Sequence, residues 1–210
     1  AGWCDVLDLP AFFFGKGAVL AEASSTTLRA ATKLDEWRAS RLAMGPATPR
    51  DPASVANSPR ALHWSLFTEL FSSSHAATAS RLRDLARRGL MTQACCEVCL
   101  RLLTPAWTAP SSGVERRRWL HVAGEDWCDA LALRATILES PVEVEAWVSL
   151  ESAILAWPEN ERAWILSPPA LLSGEDVQNL LGIAPGPAVG AALARVRRAQ
   201  VEGVVRVREE

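Results

Sequence analysis

Tyrosine is missing from these 210 residues, lysine occurs only as Lys16 and Lys33, and histidine only as His63, His75 and His121. The histidines are scattered and none precedes an aspartate, so the His-Asp dipeptide of a metal-dependent phosphohydrolase is absent. Each reads as a surface or helix-end residue rather than a catalytic base. No Gly-x-Ser-x-Gly or other nucleophile setting occurs. Gly15-Lys16-Gly17 lacks the Gly-x-x-x-x-Gly-Lys-Ser/Thr spacing that cradles phosphates, which excludes a P-loop. Long apolar runs are missing too. Residues 9–20 are broken by Pro10, Gly15, Lys16 and Gly17, short of the ~18 residues that a membrane span needs.

Cysteine is present but forms no even framework: Cys4, Cys95, Cys96, Cys99 and Cys128 point to a reducing, intracellular compartment, either cytoplasm or an organelle matrix such as that of a mitochondrion or plastid. Cys96 and Cys99 make a Cys-x-x-Cys, yet no second Cys or His pair stands at zinc-site spacing, so small buried helix residues are the reading and no metal is expected. The chain opens on Ala1 without methionine and reads as a processed or shortened product. Apolar residues make up 49%, charged residues 22%, and the formal charge of -2 excludes a protein that is basic overall. Affinity for a polyanion must come from local clusters. Twenty arginines supply them, and the planar guanidinium suits phosphate better than an ammonium.

No stretch alternates apolar and polar residues, and helical spacing recurs throughout, so the fold is predicted to be all-α, built of antiparallel helix pairs and ending in a helix-hairpin-helix-like unit. Three regions follow. Residues 1–60 hold an N-terminal arm, a long helix over 21–43 and a proline-rich loop over 45–59; Phe12, Phe13 and Phe14 in the arm are candidates for docking on a protein partner. Residues 61–110 hold helices marked by Leu62, Leu66 and Leu70, by Leu82 and Leu85, and by Val98 and Leu102. Arg81, Arg83, Arg87 and Arg88 lie on the second of these, with Asp84 among them, and read as a solvated face, with contact to phosphates as the alternative. Residues 111–210 are helical, with capping boxes at Ser112-x-x-Glu115 and Ser140-x-x-Glu143 and one apolar face through Val144, Trp147, Leu150, Ile154 and Trp157.

The last part reads as two helices joined by a tight bend. Ser173 caps the first, Asp176 sits in its first turn, Val177, Leu180 and Leu181 give it an apolar face, and Gly182 ends it. Pro187 starts the second, Val189, Leu193, Val196 and Gln200 follow at helical spacing, and Gly190 lets the helices approach. Behind Gly186, the free N–H groups of Ala188 and Val189 suit an anion, and Arg195, Arg197 and Arg198 come one to two turns later. A helical hairpin that merely closes a core, with its arginines solvated, is the competing reading.

From Ser173 to Gly203 the run Ser-Gly-x-Asp-Val-x-x-Leu-x-Gly-Ile-x-Pro-Gly-Pro-x-Val-Gly-x-x-Leu, then Gln-Val-Glu-Gly, resembles the C-terminal signature of bacterial-type tRNA nucleotidyltransferases, the CCA-adding enzymes, and their poly(A) polymerase relatives. Upstream, Arg116-Arg117-Arg118-Trp119-Leu120, Ala123-Gly124-Glu125-Asp126-Trp127 and Leu131-x-Leu133-Arg134-Ala135 are similar to the preceding block, with Thr136 where the family has an acidic residue. The likeness covers residues 114–205 well and residues 1–110 weakly. It implies body and tail regions that grip tRNA, without the head whose Asp-x-Asp carboxylates hold magnesium. Asp5 and Asp8 are three apart with no glycine turn before them and are no substitute. The resemblance therefore implies a non-catalytic module that binds tRNA or rRNA backbone through Gly186, Ala188, Val189, Arg195, Arg197 and Arg198, joined by Arg116, Arg117 and Arg118. Magnesium and a nucleoside triphosphate enter only if a head lies elsewhere. A structural subunit of a large ribonucleoprotein such as an organellar ribosome, and the RNA-gripping part of an enzyme split over two chains, stay open as alternatives.

Overall fold

The computed structural model describes residues 75–138 and 140–206, together with Thr32, Lys33 and Glu36, which are helical. The remainder of the helix expected over 21–43, the loop over 45–59, the helix through Leu62, Leu66 and Leu70, and the Phe12, Phe13, Phe14 arm lie outside the described residues, as do Cys4, Asp5, Asp8 and His63. Among the described residues every regular element is helical, as the all-α expectation required. In chain order these are α1 His75–Arg87, α2 Gln93–Leu103, α3 Gly113–Ala123, a 3-10 turn Gly124–Asp126, α4 Trp127–Ile137, α5 Pro141–Leu155, α6 Glu159–Leu166, α7 Gly174–Leu181 and α8 Pro187–Glu202. None is long and apolar enough to cross a membrane.

Packing divides the described residues into two units, one taking in those up to Leu103 with those within Asp129–Val144, the other Thr104–Cys128 with those from Glu145 to Arg206. In the first, α1 and α2 pack on each other. Leu82 and Leu85 of α1 are buried, as are Cys95, Cys96, Val98, Cys99, Leu102 and Leu103 of α2, so α2 buries three thiols among its apolar positions. The described cysteines are free thiols. Burial pushes the Cys96 thiol up, with the Arg83 charge opposing it, and a protonated thiol is a poor nucleophile and a poor metal ligand.

Arg134 on α4 is fully buried, and its Nη1 donates to the carbonyls of Leu102 at 3.0 Å and Ala130 at 2.7 Å. Leu102 belongs to the last turn of α2, where carbonyls have no partner within the helix. A cation there satisfies the orphan oxygen and opposes the negative end of the helix dipole. Two residues on, Thr136 turns its Oγ1 back to the Ala132 carbonyl at 2.7 Å, the local bond open to a buried hydroxyl on a helix.

The second unit is arranged around α3. This helix packs on α6 and α8, and α8 packs in turn on α7. Trp119 and Trp147 meet at 5.6 Å between centroids and 55° between planes, a tilted pairing that favours the ring quadrupoles. The indole N–H of Trp119 donates to the Ala106 carbonyl at 3.1 Å and ties down the irregular segment before α3. Leu150 and Ile154 of α5 and Ile165 of α6 are buried. After Pro158 the chain turns, and Arg162 Nη1 donates to the carbonyls of Leu155 and Trp157, closing the C-terminus of α5. On the far side of α3, His121 donates through Nδ1 to the Ile165 carbonyl at 2.8 Å, which fixes it as a helix-packing residue.

Replacing Arg134 by Met keeps the volume but leaves the Leu102 carbonyl without its donor. Unfolding by urea, followed by circular dichroism, is expected to show a loss of roughly 2–4 kcal/mol. A change under about 0.5 kcal/mol would contradict the role given to this buried guanidinium.

Candidate nucleic-acid interface

The hairpin forms largely as its residues dictate. Ser173 stands before α7 in an extended conformation, its Oγ accepts from the Asp176 N–H at 3.1 Å, and Asp176 Oδ2 accepts from the Ser173 N–H at 2.8 Å. That reciprocal box satisfies two end groups and puts a carboxylate at the positive pole. Gly182 ends α7 at φ 62°, ψ 33°, a left-handed conformation that a side chain disfavours, and Ile183 N–H reaches back to the Gln178 carbonyl at 3.2 Å. Pro187 occupies the first position of α8, and Gly203 ends that helix at φ 81°.

Three local expectations are corrected. A Cβ on Gly190 would meet nothing within 4 Å; the close approach between α7 and α8 is at Gly174, where a Cβ would stand 3.7 Å from Val189 Cγ1. Leu180 and Leu181 are 71% and 59% exposed, so Val177 alone carries the buried face of α7. Finally, the Val189 N–H, expected to be free, donates to the Gly186 carbonyl at 3.1 Å, and the Val189 side chain is buried. Gly186 and Ala188 remain exposed at the start of α8, where no side chain caps the helix.

Along α8, Val189 and Gln200 are buried and Leu193 and Val196 half-buried, the inward series that the spacing predicts. Gln200 is its polar member, and its Nε2 donates to the Pro169 carbonyl at 2.8 Å. Arg195 and Arg198 project from the opposite face, three residues apart and therefore neighbours on the helix surface. Arg197 is exposed to one side of them and borders a shallow cavity of about 90 Å³ between Pro168–Leu172 and α8. None of these three arginines has an ion-pair or hydrogen-bond partner among the described residues.

Arg116, Arg117 and Arg118 on α3 are differently placed. Arg117, 18% exposed, is ion-paired with Glu161 of α6 and lies 5.4 Å over the Trp157 ring. Arg206, beyond α8, makes a two-pronged bond to the same carboxylate, Nη1 to Oε2 at 3.1 Å and Nη2 to Oε1 at 3.0 Å. Partial burial works to raise the Glu161 carboxyl, but the hydrogen bond and charge of Arg117 and the charge of Arg206 outweigh it and hold it below the usual range. Arg118 pairs with Glu202 at the end of α8, Nε and Nη2 lying 2.8 Å and 2.6 Å from Oε1. Arg116 is half-buried, its Nε enclosed. Arg117 and Arg118 thus fasten α6 and the end of α8 to α3, while Arg195, Arg197 and Arg198 point outward without a described partner. Glu161, Glu202 and Arg206 carry no local signal as partners. Gln200 does, being a polar residue at an apolar position of the series.

The same helix α3 begins in a second capping box. Glu115 accepts from the N–H and Oγ of Ser111 and from the Ser112 N–H, each at 3.0 Å, while Ser112 Oγ accepts from Glu115 N–H at 3.2 Å. The Ser112 N–H, followed by the two Ser111 donors, lowers the carboxyl to about 2. A groove of about 500 Å³, lined by Ala106, Pro110, Trp119 and Val122 with Glu115 and Arg118 at its edge, runs beside it. The described residues contain no group of three His, Cys, Asp or Glu able to hold a metal.

Against known proteins, no family model and no solved structure matches this chain. It is similar to an A-adding tRNA nucleotidyltransferase of Deinococcus radiodurans, 33% identical over 108 residues, which takes in 48% of this chain. The chain covers 24% of that enzyme's length.

Because the Glu115 carboxyl is lowered in the folded state, its support of α3 is complete above the ordinary carboxylate value of 4.5 and is lost only as pH falls towards about 2. Titration followed by NMR is expected to move the Ser111 and Ser112 amide signals with a midpoint near 2, and Glu115→Gln to abolish that movement; a midpoint near 4.5 would contradict the assignment. For Glu161 the sign is the same. Its ion pairs stabilise the second unit fully above about pH 4.5 and fade below, so Glu161→Gln is expected to lower the melting temperature at pH 7 and to flatten its dependence on pH below that point.

Proposed function

We propose that this chain grips the ribose-phosphate backbone of a structured RNA, tRNA in the first place, through the outer face of α8 and the start of the same helix. The observation that carries the reading is the sorting of the arginines: Arg117 and Arg118 of α3 are engaged by Glu161 and Glu202, whereas Arg195 and Arg198 stand exposed and side by side with no described counter-ion. In a chain of formal charge -2, outward arginines with no described partner on α8 offer a local attraction for a polyanion. Duplex RNA is recognised mainly through backbone and shape, which suits guanidinium groups and the exposed helix start at Gly186 and Ala188.

The likeness to an A-adding tRNA nucleotidyltransferase supports tRNA as the partner. With it, the signature from Ser173 to Gly203 supports kinship with the C-terminal, RNA-holding part of such enzymes. In this reading the described residues hold RNA and perform no bond-making step; magnesium and a nucleoside triphosphate would be the business of a catalytic head outside them.

Fluorescence anisotropy with labelled tRNA tests the proposal. Binding is expected to weaken with added salt, and Arg195→Ala/Arg198→Ala to make the slope of log K against log salt shallower by about 1.4–1.8, two phosphate contacts at roughly 0.7–0.9 each. No binding at about 50 mM salt, or a double variant that binds like the parent, would overturn it.

A further inference from the structure

Glu202 joins the two sets of arginines. It stands seven residues after Arg195 and four after Arg198, which places it on the same outer face of α8. Along the helix axis the row Arg195, Arg198, Glu202 climbs in steps of about 4.5 and 6 Å. The third place in that row is filled by a carboxylate, and the guanidinium of Arg118 lies against it from α3.

We propose that Arg118 is a phosphate contact held in reserve by Glu202, and that RNA seated on Arg195 and Arg198 draws its guanidinium from the carboxylate to the next phosphate. The inference rests on the RNA-backbone reading above. Three observations separate this pair from the one at Glu161. Arg118 is 52% exposed, against 18% for Arg117, so its charge reaches solvent. Both of its described bonds go to a single oxygen, Oε1 of Glu202, not to two oxygens in the two-pronged manner of Arg206 on Glu161. No ring is described over Arg118, whereas Trp157 lies under Arg117. Solvent screens the half-exposed Arg118 end of the pair, and a phosphate offers that guanidinium an equal charge in the field of a polyanion. Glu202 itself, only 16% exposed, stays fixed while the arginine changes partner. Once Arg118 has moved off it, the Glu202 carboxylate stands uncovered in the row and opposes RNA. The pair thereby acts as a brake on affinity that only a correctly seated phosphate strand releases.

The test is a double-variant cycle in the same tRNA anisotropy measurement, with wild type, Glu202→Gln, Arg118→Ala and the two combined, each checked for helix content by circular dichroism. Glu202→Gln is expected to tighten binding about two- to fivefold, the strength of an exposed ion pair. Arg118→Ala is expected to make the salt slope shallower by roughly 0.7–0.9, and to abolish the gain from Glu202→Gln when the two are combined. Arg118→Gln, which keeps the stem and a donor, serves in place of Arg118→Ala if helix content falls. Wild-type binding with no gain in Glu202→Gln, or a gain that survives without Arg118, overturns this inference and leaves the RNA reading standing. Absence of binding by all four proteins overturns both.

Discussion

The carboxylate of Glu161 holds the second unit in its arrangement. Two guanidinium groups converge on it, Arg117 from α3 and Arg206 from beyond α8, so one side chain ties three stretches of sequence together. Its partial burial gives the contact weight, because each arginine near it would otherwise have surrendered water for nothing. Trp157 under Arg117 adds a face on which the cation is favourable. Arg206 ties the segment after α8 to α6, and the Gln200 bond to Pro169 gives α8 a second tether. The direction in which Arg195 and Arg198 point is a consequence of these contacts and not of anything in α8 alone.

Local chemistry made the helix boundaries legible. Ser112 with Glu115 and Ser173 with Asp176 each solve the problem of free N–H groups within four residues, so the solution is visible in a short window. Gly182 and Gly203 mark ends because a left-handed residue is needed there, and Pro141 and Pro187 mark starts where no N–H is missed. The buried series on α5, Trp147, Leu150 and Ile154, followed from period alone.

What could not be read depends on which distant residue arrives opposite. Arg118 and Glu202 are 84 positions apart, and nothing near either one announces the other. The basic triplet on α3 looked like a single patch, yet its members meet different surroundings as the helix turns, one enclosed, one engaged by Glu161 and one half-exposed beside Glu202. Gly174 and Gly190 differ in the same way. Both are small residues on paired helices, and only packing decides that the first has Val189 against it while the second faces open space.

The three enclosed thiols of α2 give the first unit an internal clock. Cys95, Cys96 and Cys99 are reached by an alkylating reagent only when α2 parts from its neighbours, and burial keeps Cys96 in its unreactive protonated form until then. The pace at which these three positions of the native protein take up a maleimide or iodoacetamide therefore counts openings of that helix.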